Sequence, residues 1–396
     1  MVAAILTASA GAGVIKGCGH AWLHDGDTDM QARVFEYQLF RDGIYPNPRL
    51  DVSPPTRSRR FTVYPPYALP QFIPFFEPGG KLQGRVMIEM LSALSLGVMG
   101  AWGWRRFRPW GVPMAAIAAV SGGAIAGNSN CFALGQFSII CMGLVVMQLI
   151  LLERGRPVAA GICWALAMIK PQIAIAFAPL FLFGEGVVGL LTGIGILLAL
   201  SLGACAWTEV SPFALVDEWL FRSRLKFNAD GGLPALYAQW VSLNQRFLVG
   251  IGLATIAAGA LWLQRYASRR GSIDRLLAAA VIPVLCMITI YHRNYDHVML
   301  WPLLLVTLEQ ALARRQRIDA FVAIATAVSL FAPERLFSLV PFAAEARALV
   351  WIGAAMHLLR TRGLFPGGPS PLEAAAPHNA EPLGGDLQGC DRGSQA

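Results

Sequence analysis

Long apolar runs separated by short charged loops organise this chain. The runs fall near residues 1–19, 86–104, 112–127, 132–152, 158–183, 187–206, 246–263, 276–291, 298–313, 319–332 and 341–359. They are continuous rather than alternating, as in Ile194–Leu200. That pattern predicts helices and not the strands of a closed barrel. Several runs are shorter than the roughly 20 residues a full crossing takes, so some helices are expected to tilt or to enter the bilayer only partly. Three polar stretches break the series: 20–85, 207–245 and the turn Tyr291-His292-Arg293-Asn294-Tyr295-Asp296-His297.

Composition sharpens the class. With 55% hydrophobic and 14% charged residues and a mean hydropathy of +0.52, the chain reads as an all-α polytopic membrane protein. The net charge of +8 lies largely in arginines of short loops, which fits membrane orientation and not nucleic-acid binding. These loops are Arg105-Arg106-Phe107-Arg108, Arg154-Gly155-Arg156, Arg265–Arg275, Arg314-Arg315-Gln316-Arg317 and the Arg360–Arg362 end. The positive-inside rule assigns all five to the cytoplasm. The seven cysteines form no CxxC pair and read mostly as small buried residues. Residues 1–19 lack a basic leader and an A-x-A site, and are expected to be a retained first span.

One conflict follows. If 158–183 crosses once, the loops on either side of it cannot both be cytoplasmic. Two half-length helices meeting at Lys170-Pro171 remove the conflict, because proline disfavours helix at the preceding residue and supplies no N–H. The predicted topology then has about 12 transmembrane or re-entrant helices, both ends cytoplasmic and a large first extracytoplasmic loop. Lys170 would sit at the tip of the re-entrant hairpin. A lysine at bilayer depth costs about 2.5–3.5 kcal/mol on insertion scales and calls for an anionic partner. Residues 1–360 read as one membrane domain. Residues 361–396, rich in Pro, Gly and Ala, read as a disordered cytoplasmic tail.

The three outer polar stretches and Lys170 share one face in this topology. The first stretch opens with His24-Asp25-Gly26-Asp27-Thr28-Asp29. Thr28-Asp29-Met30-Gln31 fits a capping box and Gly43 fits the residue that ends a helix, so 29–42 is predicted to be an amphipathic helix on the membrane. Asp29 falls in its first turn, where the helix dipole favours an ionised carboxylate. Such a group can act as a general base, bind a cation or simply face water; Asp25 and Asp27 are further candidates, and Asp27 can itself be the cap. Downstream, Arg57, Arg59 and Arg60 precede Phe61-Thr62-Val63-Tyr64-Pro65-Pro66-Tyr67. The arginines can contact lipid phosphates or be solvated, and the aromatics can form an interfacial belt or a wall for sugar or lipid. Gln136 lies near an outer helix start and can line a site or pack between helices.

Asp29, Gly43, Tyr45-Pro46, Val63-Tyr64-Pro65-Pro66, Gly135-Gln136, and Ala160-Gly161 leading to Lys170-Pro171 occur in that order, with Tyr295-Asp296-His297 before a late apolar helix. This ordered set resembles glycosyltransferase family 87. The resemblance implies a GT-C-type membrane enzyme that takes a hexose, typically mannose, from a polyprenyl-phosphate donor to a lipid or glycan acceptor. It implies Asp29, with Asp27 next, as the base on the acceptor hydroxyl, Lys170 at the donor phosphate, and His297 in the late outer turn. Arg293, Tyr64, Gln136 and Arg60 are further candidates for substrate contact.

A phosphate leaving group departs without the protonating acid that glycosidases use, so one base suffices for inverting transfer. The scheme calls for neither metal nor cofactor, and the His292/Asp296/His297 cluster fits no standard zinc spacing. A phosphate-cradling GxxxxGK[ST] is absent from the sequence, which disfavours direct use of a nucleotide sugar. The expected location is the bacterial inner membrane, multi-pass, with the active site facing outward. The rival reading is a secondary transporter or a lipid or glycan flippase with membrane-level Asp, Lys and His.

Overall fold

The computed structural model describes residues 1–23, 28–46, 64–183, 185–215, 245–270, 275–290, 292–339 and 343–362. Among these the regular structure is helical and no strand occurs. The chain divides after Leu358; of the expected tail over 361–396, Thr361 closes the last helix and 363–396 lie outside the described residues.

Helix α1 is Val2–Leu23, α2 Thr28–Arg41, α3 Ala68–Phe76, α4 Gly80–Phe107 and α5 Val112–Ser121. Then come α6 (Asn128–Leu134), α7 (Ser138–Glu153), α8 (Pro157–Ala167), the short α9 (Pro171–Ala174) with a 3₁₀ segment over Ile175–Leu182, and α10 (Val187–Thr208). The last elements are α11 (Gln245–Arg270), α12 (Arg275–Thr289), a 3₁₀ segment over Asn294–Leu300, α13 (Trp301–Arg314), α14 (Arg317–Phe331), α15 (Glu334–Ser338) and α16 (Ala343–Thr361). Among the described residues, Val2–Leu23, Gly80–Trp110 and Val187–Thr208 are long and apolar enough to cross a membrane, and the bent pair α6–α7 adds a fourth if it counts as one span. Shorter apolar helices, such as Pro157–Ala167 and Pro171–Leu182, do not reach that length.

The apolar run 132–152 is not the single segment its hydropathy predicts. Between α6 and α7 the chain turns by 118°. Gly135 ends α6 in the left-handed region at φ 64°, with its N–H on the carbonyls of Cys131 and Phe132. The left-handed backbone calls for a glycine. An L residue there would be strained, and a Cβ would lie 2.4 Å from the Met30 terminal methyl. Hydropathy averages over such a corner, because its residues are buried on both sides.

The break at Lys170-Pro171 is present. Trp164 and Phe181 would stand about 25 Å apart along a straight helix, yet their rings meet edge to face at 5.9 Å. The Trp164 indole also donates to the Ala174 carbonyl at 2.9 Å. The segment therefore folds back on itself. Its two ends meet: Arg275 donates from Nη1 to the Leu152 carbonyl, just before the hairpin, at 2.8 Å and from Nη2 to the Phe183 carbonyl, at its close, at 2.7 Å. A close helix crossing pins the first arm, since a Cβ on Gly161 would lie 2.1 Å from the Gly189 carbonyl oxygen of α10.

These contacts give the bundle two ends. At one, Arg106 at the close of α4 pairs with Glu309 of α13 at 3.1 Å, and Arg275 joins α7 to the hairpin. Arg154 and Arg156 follow the last residue of α7 at the same end. At the other end stand α2, Ser138 at the start of α7, Lys170 at the hairpin tip and the turn before α13. Helix α7 has 16 residues, so the ends are about 24 Å apart.

Candidate active site

Helix α2, Thr28–Arg41, lies within one residue of the predicted 29–42 and has the predicted stop. Gly43 adopts φ 77°. Its N–H bonds to the Phe40 carbonyl, and the Ile44 N–H bonds to the Leu39 carbonyl, which is a Schellman closure. The buried face carries Met30, Arg33, Glu36, Tyr37 and Phe40. It covers protein: α2 packs on α3, α4 and α6. Two bonds hold it in place, from Tyr37 Oη to Glu77 at 2.7 Å and from the Trp207 indole to the Phe40 carbonyl at 2.6 Å. Asp29 in the first turn is left partly exposed.

The α6–α7 corner delivers Gln136 and Ser138 beneath Asp29. Gln136 Nε2 donates to Asp29 Oδ2 at 2.9 Å. The same side chain accepts from Lys170 Nζ on its Oε1 at 3.3 Å. Lys170 is buried and also donates to Ser138 Oγ at 2.5 Å. Its anionic partner is Asp296, whose Oδ1 lies 2.6 Å from Nζ. The Lys170 ammonium sits 4.1 Å from the centre of the Tyr295 ring. Asp296 in turn accepts from Ser138 Oγ at 2.8 Å and, on Oδ2, from the Arg293 backbone N–H at 3.1 Å. Burial pushes the Asp296 carboxyl up, but Lys170 and the surrounding donors outweigh burial and hold it below the usual carboxylate range.

Asp29, Gln136 and Lys170 are thus brought together, with Arg293 entering through its backbone. Tyr64 is buried nearby, with the Arg33 guanidinium 4.3 Å over its ring and Phe72 edge-on at 5.3 Å. Arg33 also pairs with Glu36 at 2.8 Å, so α2 places a buried ion pair against Tyr64. The His297 ring instead packs on Trp351 at 5.0 Å. Burial and then Arg347 push its pKa down to about 3, so a contact from His297 to phosphate would be a neutral hydrogen bond. The His292 ring lies between the carbonyls of Ile290 and Gln172, at 2.7 and 2.8 Å, and ties the late turn to the hairpin tip. Asp25, Asp27, Arg57, Arg59 and Arg60 lie outside the described residues, as does the Thr28 side chain of the expected capping box.

Sequence reasoning missed three participants. Ser138 and Arg33 carried no signal. Asp296 was visible as an acid, but its pairing with a lysine more than a hundred residues away was not. Among the described residues no group of three or more His, Cys, Asp or Glu side chains is placed to hold a metal ion. The arrangement offers one partly exposed carboxylate, fixed from behind by a neutral amide and a buried ion pair, on the end of the bundle opposite Arg106 and Arg275.

No curated protein matches the chain. The profile of glycosyltransferase family 87 matches residues 61–290, more than half of the chain. The match holds Tyr64, Gln136 and Lys170, while Asp29, Arg293 and His297 fall outside it. The chain belongs to glycosyltransferase family 87.

Proposed function

We propose that this glycosyltransferase takes a hexose, with mannose as the first candidate, from a polyprenyl-phosphate donor to a hydroxyl of a lipid or glycan acceptor. The basic end of the bundle faces the cytoplasm of a bacterial inner membrane and the Asp29 end faces outward. Asp29 accepts the proton of the acceptor hydroxyl. The freed oxygen lone pair attacks the anomeric carbon from the side opposite the phosphate. The bond from that carbon to the phosphate oxygen breaks, its electron pair leaves with the polyprenyl phosphate, and the anomeric centre inverts. Arg293, His297 and Tyr64, with Arg60 from outside the described residues, are the proposed contacts to phosphate and sugar. Asp27 is the alternative base.

One observation carries the reading. Within a network of otherwise buried charges, Asp29 is the carboxylate left partly open, and it stands in the first turn of α2 at the mouth of that network. Family membership supports sugar transfer, and the apolar helices support a membrane-borne substrate. The test is a donor comparison with purified protein in lipid vesicles. Polyprenyl-phosphate mannose should support transfer to a glycolipid acceptor and a nucleotide-linked mannose should not. Transfer from the nucleotide sugar alone would overturn the donor class.

A further inference from the structure

The ammonium of Lys170 has three N–H groups, and the structure supplies three acceptors: Asp296 Oδ1 at 2.6 Å, Ser138 Oγ at 2.5 Å and Gln136 Oε1 at 3.3 Å. Its charge is matched by Asp296, and the side chain is 2% exposed. A donor phosphate could reach this ammonium only by displacing one of these partners and opening a closed site.

The geometry gives Lys170 a different task. A side-chain amide has one donating end and one accepting end. An ammonium only donates, and an ionised carboxylate only accepts. Gln136 stands between the two, with its oxygen toward Lys170 and its nitrogen toward Asp29. The reversed amide would set NH₂ against ammonium and oxygen against carboxylate, losing both bonds. Lys170 therefore dictates which way the amide points, and the amide dictates where the Asp29 carboxylate is held. The left-handed corner at Gly135 fixes the backbone from which Gln136 reaches out.

We infer that Lys170 and Gln136 are positioning residues for the base, acting in series on Asp29, and are not ligands of the donor phosphate. The inference rests on Asp29 being the base.

Two variants of the full-length enzyme in vesicles test it, with polyprenyl-phosphate mannose as donor. Gln136→Met keeps the length of the side chain and removes both hydrogen bonds. It should lower kcat by about 10- to 100-fold, the scale expected when a catalytic group loses its alignment, while KM for the donor stays within about twofold. Gln136→Glu keeps an oxygen for Lys170 but turns a second oxygen on Asp29. It should lose at least as much kcat as Gln136→Met. If the side chain merely filled space and capped Lys170, the glutamate would restore turnover, and that result would overturn the inference. So would a rise of about tenfold or more in donor KM with kcat retained, which would make the pair a donor site. Asp29→Asn separates the two levels of the argument. If it is inactive while Gln136→Met turns over normally, the positioning role alone fails. If Asp29→Asn is fully active, the assignment of the base fails with it.

Discussion

The Asp29 carboxylate and the Lys170 ammonium hold opposite ends of a single amide, that of Gln136. One residue comes from the first turn of α2 and the other from the tip of a folded-back hairpin. The position of the exposed acid is thereby tied to the buried interior of the bundle. Substitutions well below the surface should consequently reach the chemistry.

The corner at Gly135 is the first such place. Gly135→Ala puts a Cβ into the left-handed region, at about 1–2 kcal/mol, and drives it onto Met30. Gly155 is the control, since it has φ 66° but nothing within 4 Å of an added Cβ. Gly155→Ala should show the backbone cost alone. Gly135→Ala carries that backbone cost and must also displace the Met30 terminal methyl beside Asp29, so it should lose transfer activity that Gly155→Ala retains. Thermal unfolding in detergent, paired with a transfer assay, checks both.

Breaking the Lys170–Asp296 pair strands a buried charge. Lys170→Met should destabilise the protein by about 3–5 kcal/mol. Lys170→Met combined with Asp296→Leu removes both charges and should recover most of that loss. Transfer should remain low in the double variant, because Gln136 has lost the partner that orients it. Recovery of stability together with full activity would mean that the pair only holds the fold.

The same pair sets a dependence on acid. The Asp296 carboxyl is held below its ordinary value in the folded state, so the folded state binds fewer protons than the unfolded one. Its contribution to stability is complete above the unfolded carboxylate value of about 3.9 and is lost as pH falls through the lower folded value. Unfolding midpoints measured downward from about pH 5 should fall more steeply for the wild type than for Asp296→Asn. Parallel slopes would show that the pair does not contribute in this way.

Sidedness is open to direct labelling. In a background without the native cysteines, Gln172→Cys at the hairpin tip should react with an impermeant thiol reagent added outside intact cells. Arg154→Cys, on the exposed loop at the basic end, should react only after permeabilisation. The reverse pattern would invert the proposed orientation.

Much of this architecture was legible in the sequence where the cause is local. Proline fixes the break at Lys170-Pro171, the glycine at 43 ends α2, and some apolar runs fall on helices of closely similar extent, 187–206 against Val187–Thr208 for example. The fold-back of the hairpin followed from the charge of the loops flanking it. What escaped was set by distant partners. The turn at Gly135 lies inside an apolar run, where one glycine carries little weight, and the neighbour that an added Cβ would meet there is Met30, far away in sequence. Asp29 was found through its helix, and Lys170 through its proline. That Gln136 joins them, and that Asp296 neutralises the lysine, depends on helices whose mutual packing no linear pattern records. The count of about 12 segments rested on hydropathy, and the helices themselves include several too short to cross a bilayer alone.

The most direct measurement is the transfer rate of Asp29→Asn, purified and returned to vesicles, with polyprenyl-phosphate mannose at saturation. The side chain keeps its shape and can no longer take a proton. The account predicts a loss of about 100- to 10,000-fold in turnover with folding and donor binding intact. Turnover equal to that of the wild type would contradict it.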